Sequence, residues 1–253
     1  MHLKEIAQIL DQAVVHATPV GQTSQIRKIT IEEAYEIQKL VLDRRIDRGE
    51  RLIGIKLGFA SEAKMKQMGV SDMIWGRLTD KMLIQNRGEF YLHESIHPRA
   101  EPEVCFRISK DIEGEVALDD LDQYVDGVAA AVEIIDSRYE NFKFSLEDVV
   151  ADNCSASSLV IGEWQPPSQN IGDLKMTLSV NGEVREEGSS TDILGNPWNS
   201  LQGATRLAHC YGEKIKAGHV IMSGAATEAI FLEKGTKVKL DVEQLGSCDF
   251  LVR

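Results

Sequence analysis

Val128-Ala-Ala-Ala-Val-Glu-Ile-Ile135 decides the fold of this 253-residue chain. Apart from Glu133 the run is apolar throughout, so it reads as a strand buried on both faces. Further short strands are predicted over Leu52–Leu57, Val104–Ile108 and Leu159–Ile161. A hairpin follows, with Leu174–Val180 and Val184–Glu187 flanking Asn181-Gly182, a dipeptide that tolerates the positive φ angles of a tight turn. A helix over about Ser200–Tyr211 precedes three closing strands near Val220, Val238 and Phe250. The order is irregular rather than a steady βαβ alternation, which predicts an α+β fold with a mostly β core.

The first 50 residues read differently. Ile6, Ile9, Leu10 and Ala13 recur at helical spacing, and that helix ends before Pro19. A second helix starts at the Thr30/Glu33 capping pair, shows Ala34, Ile37, Leu40 and Val41 on one side, and stops at Gly49. Residues 1–50 are therefore expected to form a helical cap on the mostly β core of residues 51–253, the whole making one structural domain. No repeat or linker is present; Gln165-Pro-Pro-Ser168 reads as a surface loop.

With 28 Lys+Arg against 40 Asp+Glu the formal charge is −12, which disfavours nucleic acid, whose binding rests on basic side chains. The N-terminus lacks the apolar core of a signal peptide, and no stretch approaches a membrane span. Cys105, Cys154, Cys210 and Cys248 lie far apart, as suits reduced thiols. A soluble cytoplasmic protein is expected.

Several residues could carry chemistry. His93-Glu-Ser-Ile-His97 fits the HExxH pattern, but a strand-like Gly88–Leu92 precedes it and Pro98 follows, so the helix a zinc site needs has no room and the match reads as chance. Glu101 and Glu103 share one face of a strand by its period of two, which alone reads as a solvated face. Glu133 changes that, because a carboxylate in a buried strand must be neutralised, paired or bound to a metal. Spacing leaves two accounts open: Arg138 as partner, or a Mg²⁺ or Mn²⁺ ion held by three carboxylates. Lys56 is a second charge in an apolar strand, either an edge lysine reaching solvent or a perturbed group beside a metal. Gly54 and Gly58 complete no phosphate-binding fingerprint.

Ile55-Lys-Leu-Gly58, His97-Pro-Arg-Ala-Glu-Pro-Glu103, Val132–Arg138, Val150-Ala-Asp-Asn153, Ile193–Pro197 and Ile221-Met-Ser-Gly224 together resemble the 2-hydroxypentadienoate hydratase and 4-oxalocrotonate decarboxylase branch of the fumarylacetoacetase superfamily. The resemblance runs from about residue 25 to the C-terminus. It implies a mixed β-sandwich roll with surrounding helices and a Mg²⁺ or Mn²⁺ ion held at Glu101, Glu103 and Glu133. It also implies a small 2-oxo acid substrate chelating that ion, with Lys56 as the catalytic lysine. Leu57 and Gly58 would offer backbone N–H groups to the substrate, with Ser155 and Thr227 as further contacts. Ala225, Glu228 and Cys154 depart from the family pattern, and the first two bear on the pocket mouth.

Within the branch, the Asp136–Phe144 run looks like the decarboxylases, and Ile74 is apolar where hydratases carry an aspartate before the aromatic-Gly pair Trp75-Gly76. Decarboxylation leaves a dienolate that a Lewis acid stabilises, whereas hydration needs an acid/base group for water. The expected reaction converts 2-oxohex-3-enedioate to 2-hydroxypenta-2,4-dienoate and CO₂. The alternatives are a hydratase, or a non-catalytic partner subunit of one. Homo-oligomerisation and a complex with a hydratase are further expectations of the resemblance.

Overall fold

The Val128–Ile135 run lies near the middle of a large sheet. In a computed structural model, which describes residues 1–61, 65–66, 70–167 and 170–253, thirteen strands occur among the described residues. They are β1 (Leu52–Gly58), β2 (Ile74–Thr79), β3 (Leu83–Ile84), β4 (Glu89–Phe90), β5 (Arg99–Ile108), β6 (Val125–Ile135) and β7 (Ala156–Ile161). Then follow β8 (Lys175–Val180), β9 (Glu183–Ser189), β10 (Val220–Met222), β11 (Ile230–Phe231), β12 (Lys237–Val242) and β13 (Gly246–Val252). One sheet has the order β2-β1-β10-β5-β6-β7-β3, with β11 also on β5; the other runs β4-β13-β12-β8-β9. The pairs β1/β10, β3/β7 and β4/β13 are parallel and the remaining pairs antiparallel, so the sheets are mixed.

Among the described residues the helices with full bounds are α1 (Leu3–Val15), α2 (Thr23–Ile26), α3 (Ile31–Asp47), α4 (Leu146–Ala151) and α5 (Pro197–Cys210). At α3 the predicted capping box forms: Glu33 N–H donates to Thr30 Oγ1 and Thr30 N–H to a Glu33 carboxylate oxygen. α5 begins three residues before the predicted start, because the Asn196 side chain caps it and Pro197 fits the first turn. The β8–β9 turn takes positive φ at Asn181 (53°) and Gly182 (84°), as its dipeptide predicted. Ile6, Leu10, Tyr35 and Ile37 of the helical segment join Ile55, Leu57 and Trp75 of the sheet in one buried cluster.

Three expectations need correction. Gly88–Leu92 is a strand only over Glu89–Phe90, and Leu92–Glu94 forms a single 3₁₀ turn because Pro98 bars a longer helix and the chain enters β5 at Arg99. Lys56 is not on an edge: β1 is flanked by β2 and β10, and the side chain is buried. Arg138 does not meet Glu133 but pairs with Asp152. Ser168 of the Gln165–Ser168 loop lies outside the described residues, while Gln165 exchanges both backbone hydrogen bonds with Val128.

Candidate active site

The antiparallel register of β5 and β6 sets Glu101 directly opposite Glu133, and the period of two returns Glu103 to the same face. Each of the three carboxylates offers an oxygen within 4.8 Å of the others. Glu103 and Glu133 are fully buried, and Glu101 is half-buried. The Gly224 N–H donates to Glu103 Oε2 at 2.8 Å, whereas Glu103 Oε1 and both Glu133 oxygens accept no hydrogen bond. Lys56 Nζ faces Glu133 Oε2 at 2.9 Å and donates to the Cys154 carbonyl at 3.1 Å.

Glu103 and Glu133 meet the Lys56 ammonium in a buried place, and the half-buried Glu101 adds a third carboxylate beside them. Carboxylates so placed cost several kcal/mol each unless compensated. Burial, and then the neighbouring Glu133, push the Glu103 carboxyl well above the ordinary carboxylate range. Burial opposes the charge of Lys56, but Glu133 and the other anionic groups outweigh it and raise its pKa above the usual lysine value. The unpartnered Glu103 oxygen and two buried carboxylates against one ammonium fit a dication, and an oxygen-only donor set fits a hard one.

β1 and β2 build the adjoining wall. Gly58 pairs with Ile74 and Lys56 with Gly76, so Ile74 stands on the same face as Lys56. A Cβ on Gly58 would lie 2.9 Å from Ile74 Cγ1, so the apolar side chain closes over the glycine. Leu57 is buried near the C-terminal end of β1 and points to the opposite face. Gly224, at φ +96°, runs so close to β1 that an added Cβ would meet the Ala60 Cβ at 2.3 Å; only glycine brings that N–H to Glu103.

Ser155 is buried with an unpartnered hydroxyl. It ends a run of three left-handed residues, Asn153 (φ 52°), Cys154 (52°) and Ser155 (58°), an arrangement costing of order 1 kcal/mol per residue. Thr227 is half-buried, and its hydroxyl donates to the Glu228 carbonyl, so the structure gives it a local partner and no contact with the carboxylates. The Cys154 carbonyl, the Gly224 N–H and the Asn153 side chain escaped sequence reasoning, since backbone groups and left-handed turns leave little residue-type signal; Asn153 alone is of a type that tolerates positive φ. A separate cleft of about 300 Å³, lined by Arg45, Lys81, Glu94 and Arg138 among others, contains none of the predicted site residues.

A mixed β-roll that gathers three carboxylates and a lysine at one place defines a class of protein whose oxygen-only donor set suits a hard dication. The chain belongs to the fumarylacetoacetate hydrolase C-terminal family, whose model matches residues 55–253. It is 47% identical over 250 residues, 99% of this chain and 98% of the other, to a 4-oxalocrotonate decarboxylase of a Pseudomonas species. It is 32% identical over 226 residues to a 2-hydroxyhexa-2,4-dienoate hydratase of Comamonas testosteroni, covering 87% of this chain and 86% of the other. A solved 4-oxalocrotonate decarboxylase of Pseudomonas putida G7, complexed with magnesium and adipate, superposes with a TM-score of 0.95 at 32% identity, covering 99% of this chain and 97% of that one. Among the described residues, no helix is long and apolar enough to cross a membrane.

Proposed function

We propose that this chain is a carboxy-lyase that converts 2-oxohex-3-enedioate to 2-hydroxypenta-2,4-dienoate and CO₂, with Mg²⁺ or Mn²⁺ at Glu101, Glu103 and Glu133. The observation that carries the reading is the buried carboxylate trio with Lys56 against it. The whole-length similarity to a 4-oxalocrotonate decarboxylase supports the choice of reaction, as does the solved relative complexed with magnesium and adipate, a six-carbon diacid.

A dication held by Glu101, Glu103 and Glu133 would supply Lewis-acid stabilisation of the 2-oxo oxygen and so of the dienolate left by loss of CO₂. The chain supplies the rest. Its carboxylates fix where the oxo acid sits, and the Lys56 ammonium adds positive charge beside the developing oxyanion and can deliver the proton that the enol requires. Ile74, packed over Gly58, keeps the wall on the Lys56 face apolar; it brings no acid/base group to manage water, which favours release of the distal carboxylate over hydration. Backbone N–H groups at Leu57 and Gly58 and the unpartnered Ser155 hydroxyl are the remaining substrate contacts in this reading. The four unpaired cysteines suit a reducing, cytoplasmic setting.

The test is an ultraviolet assay of metal-stripped protein with 2-oxohex-3-enedioate before and after added Mg²⁺ or Mn²⁺, following CO₂ and the dienol together. Metal-dependent CO₂ release with the dienol persisting is expected. Absence of CO₂ together with consumption of supplied 2-hydroxypenta-2,4-dienoate would replace this reading with a hydratase.

A further inference from the structure

The ammonium of Lys56 sits on a flexible four-carbon stem among three carboxylates, and one neutral group competes with them for it: the Cys154 carbonyl at 3.1 Å. That carbonyl lies inside the left-handed Asn153–Ser155 run, a conformation that relaxes unless its surroundings hold it. The hold comes from both ends. On one side Asn153 Nδ2 donates to the Arg77 carbonyl at 2.8 Å and Arg77 N–H donates to Asn153 Oδ1 at 2.7 Å, so the amide side chain replaces a neighbouring strand along the outer edge of β2. Gly76 makes the approach possible, since a Cβ there would lie 2.5 Å from the Asn153 carbonyl oxygen. On the other side Arg138 N–H donates to Asp152 Oδ2 at 3.0 Å and Arg138 Nη1 to the Ala156 carbonyl at 2.9 Å.

We propose that Asn153 is a positioning residue for the reaction: through its paired bonds to Arg77 it holds the Cys154 carbonyl against Lys56 and so fixes where the ammonium lies beside Glu133. Asparagine suits the task on two counts. It accepts the left-handed conformation, and its side chain carries the donor and acceptor of a peptide group. Aspartate lacks the donor. Glycine keeps the backbone freedom and loses both bonds.

The inference rests on the role given to Lys56 above, so its test includes a reading independent of turnover. Asn153→Gly and Asn153→Asp are assayed at saturating Mg²⁺ for kcat and KM with the diacid, alone and combined with Lys56→Ala, and their crystal structures are solved. Expected is a fall in kcat of about ten-fold or more with KM changed less than about three-fold. The Lys56 Nζ to Cys154 oxygen distance should open beyond hydrogen-bond reach, and neither variant should add a further loss to Lys56→Ala. A kcat within about two-fold of the parent, an unchanged Nζ–carbonyl contact, or a full additional loss on top of Lys56→Ala would overturn the proposal. Asn153→Asp, nearly isosteric, keeps the test decisive should the glycine variant fail to fold. Should the parent release no CO₂, the reaction assignment fails while the crystallographic distance still decides the positioning role.

Discussion

Glu103 is fully buried, with one oxygen on the Gly224 N–H and the other without a partner, an arrangement that positive charge beside it would relieve. Glu103→Gln keeps an acceptor for Gly224 while removing a buried charge that burial and Glu133 already disfavour. In chelator the variant is expected to be more stable than the parent by about 1–2 kcal/mol, since relieving uncompensated buried charge is stabilising. With millimolar Mg²⁺ the order reverses. The parent gains stability by mass action and the variant gains almost none, while CO₂ release falls at least about a hundred-fold. Thermal unfolding of both proteins across a Mg²⁺ titration checks this, and an equal Mg²⁺-induced rise in Tm for the variant would refute it. At this scale the carboxylates were legible in sequence because a charge inside Val128–Ile135 contradicts its surroundings. The partner of that charge was not, because Arg138 is near in sequence while Lys56 is brought in by strand pairing from 77 positions away, 133 − 56.

Helices and strands were legible where periodicity and end signals agreed, as at α3 with its capping box and at the β8–β9 turn. They were not where an element is two residues long, as β3 and β11 are, or where polar residues interrupt a wholly buried strand, as Arg77 and Thr79 do in β2. The joint between α1 and α3 was also invisible in the sequence. Asp11, on the buried side of α1, accepts from Arg44 Nε at 2.7 Å and from Arg48 Nη1 and Nη2 at 2.8 and 2.6 Å. Burial works against its charge, but the hydrogen bonds and charges of Arg48 and Arg44 outweigh it and hold the carboxyl below its usual 3.8. The folded-state pKa is thus lower than the unfolded one, so the stabilisation is complete above the unfolded value and fades as pH falls through the folded one. Asp11→Asn should lower stability by about 1 kcal/mol at pH 7, a modest figure because both guanidinium groups stay partly in water. Urea unfolding at pH 7 and again well below pH 3.8 measures it. A deficit that persisted undiminished in acid would show that the clamp is not electrostatic.

Across the whole molecule, the α+β class and a helical first segment against a mostly β core could be read from the changing hydrophobic period; the roll came from the family resemblance, and the sheet order from neither. Which strands lie side by side depends on long-range pairings such as β1 with β10, separated by more than 160 residues of chain. The same pairings decide how independent the first 50 residues are. Ile6, Leu10, Ile37 and Val41 are buried, and Gln38 reaches into the roll, its Nε2 donating to the carbonyls of Trp75 and Val150 and its Oε1 accepting from Arg77 Nη1 at 2.6 Å. Arg77 is the residue that Asn153 grips, so the helical segment backs the turn behind Lys56. Four large apolar side chains contribute about 1.5–3 kcal/mol each, or about 6–12 kcal/mol together, which equals the whole stability of an ordinary domain. Deleting residues 1–50 would also bare the Ile55, Leu57 and Trp75 face of β1 and β2. The cap and the roll should therefore form one folding unit, and a chain of residues 51–253 is expected to lack a cooperative thermal transition and to bind hydrophobic dye. A sharp calorimetric transition in that fragment would show instead that the roll folds alone, and Mg²⁺ binding by it would separate the cap from the site as well.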